Sequence, residues 1–201
     1  MKRGWVNKSF QYLKLGDRIS PADNVRYYFS IEVLEFTESV LKEYGSIEPS
    51  HEGIVLWAGR KNDNKIIVNS AIAPDTDSSG THIIIKPESM VRFITFLSDS
   101  KLTYVGQIHS HPGSWVGHSS GDNDLSCFKR EGLISFVAPN YGLEGILPFS
   151  QCGVHRYMDG NFTLLSKTYV AKRMKILGIQ AKLLDLRNKM DIRWNVKNGI
   201  D

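Results

Sequence analysis

The 201-residue chain predicts an α/β fold, a mixed central β-sheet flanked by helices, with an N-terminal extension and a long C-terminal helix. Three observations carry this expectation. Short β-branched and aromatic runs alternate with segments of helical spacing. Clusters of Gly, Pro, Asn and Asp punctuate the boundaries. The apolar share of 41% against 23% charged is ordinary for a soluble globular chain. At this length one core domain is expected, over residues 28–166. Residues 1–27 then form the extension and 167–201 a basic helical segment packed on the core.

In order, residues 1–27 lack clean periodicity. Ile31 to Tyr44 sets Val33, Phe36, Val40, Leu41 and Tyr44 on one helical face, and Gly45 offers a stop. Gly53–Ala58 and Lys65–Ala73 read as two strands of a hairpin around a polar turn, and His82–Lys86 as a third short strand. Pro87 opens a helix through about Ser98, with Met90, Phe93, Ile94 and Leu97 at helical spacing. Leu102–Ser110 is a strand ending at His111-Pro112. A loop rich in Gly and Ser comes next, then a short helix from Asp122 to Lys129. Leu133–Ala138 is an apolar strand, and Cys152–Met158 with Phe162–Leu165 flank the turn Asp159-Gly160 as a second hairpin. Thr168–Met190 closes the chain as a long helix whose stripe of Val170, Met174, Leu177, Ala181 and Leu184 reads as core packing.

Composition excludes several classes. No apolar run approaches the roughly 18 residues of a membrane span, so no membrane association is expected. The basic start lacks an apolar stretch of the secretory kind. Cys127 and Cys152 form neither a disulfide framework nor a Cys-x-x-Cys pair, and a reducing, cytoplasmic setting fits them. The net charge of +4 is uneven, because residues 167–201 hold nine Lys/Arg against three Asp/Glu. With no aromatic interleaving or nucleic-acid motif, that segment reads as a solvated helix face, and nucleic acid is not an expected partner.

The chemistry concentrates in residues 109–122, His-Ser-His-Pro-Gly-Ser-Trp-Val-Gly-His-Ser-Ser-Gly-Asp. Alternation along a strand aims His109 and His111 the same way. Pro112 lacks an amide hydrogen and turns the chain out of the sheet. Ser119 is placed to cap the next helix, and Asp122 falls in its first turn, where the helix dipole favours a carboxylate. Two imidazoles and one carboxylate are the ligand set of a zinc site with one position open to water. Amide hydrolysis also needs a group to take and redeliver a proton. Glu52, leading the apolar run Gly53-Ile54-Val55-Leu56-Trp57-Ala58, is the best-placed of the nine glutamates for that role.

Together Glu52, His109, Ser110, His111, Pro112, Ser119 and Asp122 resemble the signature of the JAMM (JAB1/MPN/Mov34) metalloprotease family, over about residues 28–166. Within that family the chain is most similar to short bacterial JAB proteins. Several of these accompany ubiquitin-like proteins and activating or conjugating enzymes, some in anti-phage defence systems. The resemblance implies a cytidine-deaminase-like JAMM/MPN fold and a deubiquitinase-like isopeptidase or peptidase. Its substrate would be the amide bond after the C-terminus of a ubiquitin-like protein, in conjugate removal or precursor processing. It further implies one Zn2+ on His109, His111 and Asp122, Glu52 as general base for a zinc-activated water, and Ser119 as a stabiliser of the oxyanion. Two other readings stand beside it: a DNA-associated or scaffolding MPN-like protein, and a hydrolase of a small-molecule or sulfur-carrier amide.

Other residues receive plainer expectations. His118 reads as a solvent-facing loop residue, His155 as structural, and His51 as aimed away from Glu52. Cys127 reads as a buried thiol. Trp115 reads equally as a contact for a substrate's extended tail or as a packed loop anchor.

Overall fold

A computed structural model describes residues 21–119, 121, 122 and 128–188. Strand β1 (Arg26–Ser30) runs straight into helix α1 (Ile31–Gly45). The hairpin β2 (Ile54–Asn62) and β3 (Lys65–Ala73) comes next, then β4 (Thr76–Ser78) and β5 (Ile83–Ile85) as a small separate sheet. Helix α2 (Pro87–Ser100) leads to β6 (Thr103–Ser110). Beyond the motif loop come β7 (Ile134–Ala138), β8 (Gly153–Met158) and β9 (Asn161–Leu164). Helix α3 (Lys167–Arg173) and strands β10 (Met174–Leu177) and β11 (Lys182–Asp185) are the last elements among the described residues.

The main sheet runs β10-β1-β3-β2-β6-β7-β8-β9, with β11 also paired to β3. Pairings β10/β1, β1/β3, β11/β3 and β6/β7 are parallel and the others antiparallel. This is the mixed α/β sheet that the sequence predicts. One face packs on α1 through a cluster of Phe29, Trp57, Phe136 and Phe149, with Trp57 edge-on to Phe29 and Phe136 at 5.3 and 5.0 Å. The indole N–H of Trp57 donates to Thr37 Oγ1 on α1 at 3.1 Å, so the buried polar atom is satisfied. The other face packs on α2 through Phe93, Ile54, Leu56, Ile72 and Tyr104. No helix among the described residues is long and apolar enough to cross a membrane.

Most expected elements are present, with ends moved by one to a few residues. The chief correction is the C-terminal segment. Among the described residues its helix covers Lys167–Arg173, and the chain then forms β10 and β11 where the long helix was expected; Met190, its expected end, lies outside the described residues. Val170 and Met174 of the expected stripe are buried, whereas Leu177 is exposed. Helix propensity is a weak preference here, and Gly178 interrupts it. The open edges of β1 and β3 offer the backbone a full set of sheet partners instead. Strand β1 also begins inside the expected N-terminal extension, at Arg26. For the helix expected at Asp122–Lys129, Gly121 and Asp122 are helical, and residues 123–127, Cys127 included, lie outside the described residues.

A bulge in β2 sets the curl of the sheet, with register shifts at Trp57/Ala58 against β6 and Ala58/Gly59 against β3. A Cβ on Gly59 would stand 1.8 Å from the Ile67 carbonyl oxygen, which is backbone and cannot swing away. Gly59→Ala is therefore expected to cost more than about 3 kcal/mol, beyond the usual penalty for overpacking. Urea unfolding should show this as a lower midpoint at an unchanged m-value.

Candidate metal centre

The site forms where three strand ends meet. Strand β6 is parallel to β7 and antiparallel to β2, so the C-terminal ends of β6 and β7 lie beside the start of β2. Ile54 opposes His109 in that register. Ile108 belongs to the α1-side core, and alternation sends His109 to the opposite face, fully buried. His111 lies one residue past the strand but keeps the ladder, its amide donating to the Ala138 carbonyl at 2.9 Å. Glu52 is buried next to β2, its amide donating to the Ser79 carbonyl at 2.9 Å.

Ser119 and Asp122 form a reciprocal cap. The Ser119 amide donates to Asp122 Oδ2 at 2.6 Å, and the Asp122 amide donates to Ser119 Oγ at 3.1 Å. The cap turns the Asp122 carboxylate toward the histidines. Oδ1 lies 3.4 Å from His109 Nε2, Oδ2 lies 3.3 Å from His111 Nε2, and the two Nε2 atoms are 3.2 Å apart. Ligands of a tetrahedral zinc at its usual bond lengths stand about 3.3 Å from one another. With one donor atom taken from each, His109, His111 and Asp122, all buried, lie within 4.8 Å of one another, a spread that a single ion bound to all three would draw together. The ring orientation agrees, because His111 Nδ1–H donates to the Trp115 carbonyl at 3.1 Å and leaves Nε2 as the atom that would hold a metal. Two imidazoles and one carboxylate are a donor set that fits a divalent ion such as zinc.

The electrostatics arise from burial. Desolvation acts to raise the Asp122 carboxyl, but hydrogen bonds with His109, His111 and the Ser119 amide hold it well below the ordinary carboxylate range. For His111, burial opposes charge, and the Asp122 carboxylate outweighs it and raises the imidazole. Burial pushes Glu52 up to about 7; His111 draws it down and Asp122 adds to the rise. A carboxyl poised near neutrality beside a cluster of donor atoms is suited to proton transfer.

The five candidate site residues thus assemble, with Glu52 and Ser119 next to the three prospective ligands. Two histidines add what the sequence did not reveal. His118 is not a solvent-facing loop residue. It is half-buried, bonded through Nε2 to Ser135 Oγ at 2.9 Å, with its ring centroid 4.3 Å from His155, 4.6 Å from Phe162 and 5.6 Å from His109. His155 is buried behind it, and desolvation, aided by His109, lowers its pKa to about 4. Their sequence positions carry no ligand spacing; the pairing of β7 with β8 and the path of the motif loop bring them beside His109. His51 points elsewhere, its Nδ1 3.2 Å from Ser78 Oγ. Cys152 is buried and its thiol pushed up to about 12, which makes it inert as a nucleophile. Trp115 is 45% exposed and stacks on the His111 ring at 5.1 Å and 8°.

No protein-family profile matches the chain. The chain is 31% identical over 114 residues to "Probable metalloprotease y4jG" of Sinorhizobium fredii (strain NBRC 101917 / NGR234), covering 55% of this chain and 68% of that protein. Among solved structures, protein DSY2949 from Desulfitobacterium hafniense shares the fold with a TM-score of 0.55 at 14% identity, over 77% of this chain and 94% of that one. AF2198, a JAB1/MPN domain protein from Archaeoglobus fulgidus, aligns with a TM-score of 0.37 at 17% identity, over 76% of this chain and 98% of that one.

The geometry predicts that zinc raises the unfolding free energy, by about 2.7 kcal/mol at a free concentration 100 times the Kd. In Asp122→Ala the same addition is expected to leave the melting temperature unmoved. Calorimetry with and without zinc checks both, and an undiminished response in the variant would remove Asp122 from the ligand set.

Proposed function

Because the chain belongs to the JAMM (JAB1/MPN/Mov34) metalloprotease family, we propose that it is a zinc-dependent peptidase or isopeptidase. In this reading it cuts the amide bond after the C-terminus of a ubiquitin-like protein. The observation that carries the reading is the convergence of a buried carboxyl, Glu52, on the His109-His111-Asp122 triangle. Two imidazoles and a carboxylate alone would bind a metal. The added carboxyl turns a binding site into one able to move protons.

Bound zinc would supply a Lewis acid for the scissile carbonyl and lower the pKa of a water toward 7. Glu52 takes the proton of the attacking water on its carboxylate and returns it to the leaving amine nitrogen. Burial keeps that carboxyl out of bulk solvent, so the proton it takes is held for the leaving group. Ser119 Oγ accepts the Asp122 amide, and its O–H hydrogen remains a donor for the oxyanion that forms at the carbonyl. His109, His111 and Asp122 fix the ion, with Trp115 and the cap holding two of the three in place. Activating and conjugating enzymes of a ubiquitin-like system, of the kind found in bacterial defence, are the proposed associates.

A linear fusion of a ubiquitin-like protein to a reporter peptide tests the reading. The zinc-loaded protein is expected to cut at the junction. Glu52→Gln should keep the metal and lose roughly 10²–10⁴-fold in kcat, and a wild-type rate in that variant would remove Glu52 from the mechanism. An intact protein that cuts unrelated peptides and spares the fusion would replace the substrate class while keeping the chemistry.

The base works only when deprotonated, so kcat/KM should climb with pH on the acid side of neutrality. With a cation nearby, its midpoint should fall below the value of about 7 that burial, His111 and Asp122 together give Glu52. A pH profile of Glu52→Gln lacking that limb assigns it.

A further inference from the structure

We propose that Trp115 is a positioning residue for the metal centre, holding His111 by its carbonyl and its indole face so that the ion is retained. The proposal rests on the metalloprotease reading and deepens it. The His111 imidazole has one edge on the centre and the other on Trp115, since Nδ1–H donates to the Trp115 carbonyl at 3.1 Å. The same residue then turns its ring back over the imidazole, nearly parallel, with centroids 5.1 Å apart and planes 8° apart. One residue thus fixes both the tautomer and the ring rotation of a ligand. By comparison His109, fully buried in β6, has an Nδ1 with no hydrogen-bond partner among the described residues, so His111 carries the externally oriented half of the pair.

The loop is shaped for this stack. A Cβ on Gly117 would stand 2.7 Å from the indole Cζ2, so the ring lies against bare backbone on one side and against His111 on the other. At Gly113, four residues earlier, an added Cβ would meet nothing within 4 Å. Trp115 is 45% exposed, which is a poor use of a large aromatic if packing were its purpose. The part of Trp115 left exposed meets solvent, while the face stacked on His111 covers a buried imidazole.

The test measures zinc affinity by competition with a fluorescent chelator in the intact protein. Trp115→Ala keeps the carbonyl and removes the indole, and is expected to weaken zinc about 10-fold, the lower end of the range for partners that orient a ligand. Trp115→Phe should recover most of the loss, because a ring is restored. Gly117→Ala should weaken zinc as Trp115→Ala does, by displacing the indole, and Gly113→Ala should match wild type. Co2+ should quench the tryptophan fluorescence of the wild type, and this Trp115 component should vanish in Trp115→Phe although the metal still binds. Unchanged affinity in Trp115→Ala, a Trp115→Phe variant as weak as Trp115→Ala, or no loss of quenching in Trp115→Phe would overturn the proposal. A wild type that binds no zinc overturns instead the metalloprotease reading beneath it.

Discussion

The centre depends on a short clamp between two residues 57 positions apart. Ser110 meets Gly53 twice, its amide donating to the Gly53 carbonyl at 3.0 Å and its Oγ accepting the Gly53 amide at 2.9 Å. Each group is buried, so each lost bond would leave an unpaired polar atom out of water. The clamp locks the start of β2 against the end of β6. Glu52 precedes one partner directly and His109 and His111 flank the other. Strand direction does the rest, since only an antiparallel β2 could bring a residue that begins a strand beside residues that end one.

The three prospective ligands are costly without a cation. Their acceptor atoms converge within 4.8 Å in a buried space, and Asp122 brings a charge there. The helical turn at Gly121–Asp122 offsets part of this cost, because its amide end favours a carboxylate and the Ser119 cap bonds it directly. Hydrogen bonds with His109 and His111 offset more of it, and a divalent ion would take the place of the protons in those bonds. A dication with two neutral imidazoles and one carboxylate keeps one net positive charge. An ionised Glu52 nearby would balance it, so burial of the base and burial of the centre make electrostatic sense only together.

The parts of the site that were legible in the sequence are those within one strand, loop and turn. His109-x-His111 aligns by the strand period, Ser119-x-x-Asp122 by the capping box, and neither needs the rest of the chain. Glu52 was found by elimination and by family resemblance, because its distance to the motif in space is a property of sheet order. His118 and His155 escaped for the same reason: they meet through the β7/β8 pairing and through the path of the loop. The error at 174–185 has another source. Lys175-Ile176-Leu177-Gly178-Ile179 carries both a helical stripe and a β-branched run, and periodicity alone could not weigh these against an unpaired edge elsewhere in the fold.

That edge explains why the C-terminal segment is more than an appendage. Nine-residue β3 is flanked on one side by two short strands in tandem, β1 against residues 65–68 and β11 against 70–73. To reach its place β11 must pass the end of β1, and the passage is tied down: Ser30 Oγ donates to the Ile179 carbonyl at 2.6 Å and the Ala181 amide donates to Glu32 at 2.9 Å. Beyond β11, Arg187 pairs with Asp185 and Glu43 and lies 5.8 Å from the centre of the Tyr44 ring. Tyr44 in turn packs directly on Gly53, where an added Cβ would be 2.8 Å from its Cδ2. The contacts of Arg187 thus brace the helix that backs the Gly53–Ser110 clamp, and with it the carboxyl of Glu52. A segment that pairs the sheet edge at one end and presses on the clamp through Arg187 and Tyr44 at the other is mechanically part of the centre, acting on the ligands through the backbone they share with the clamp.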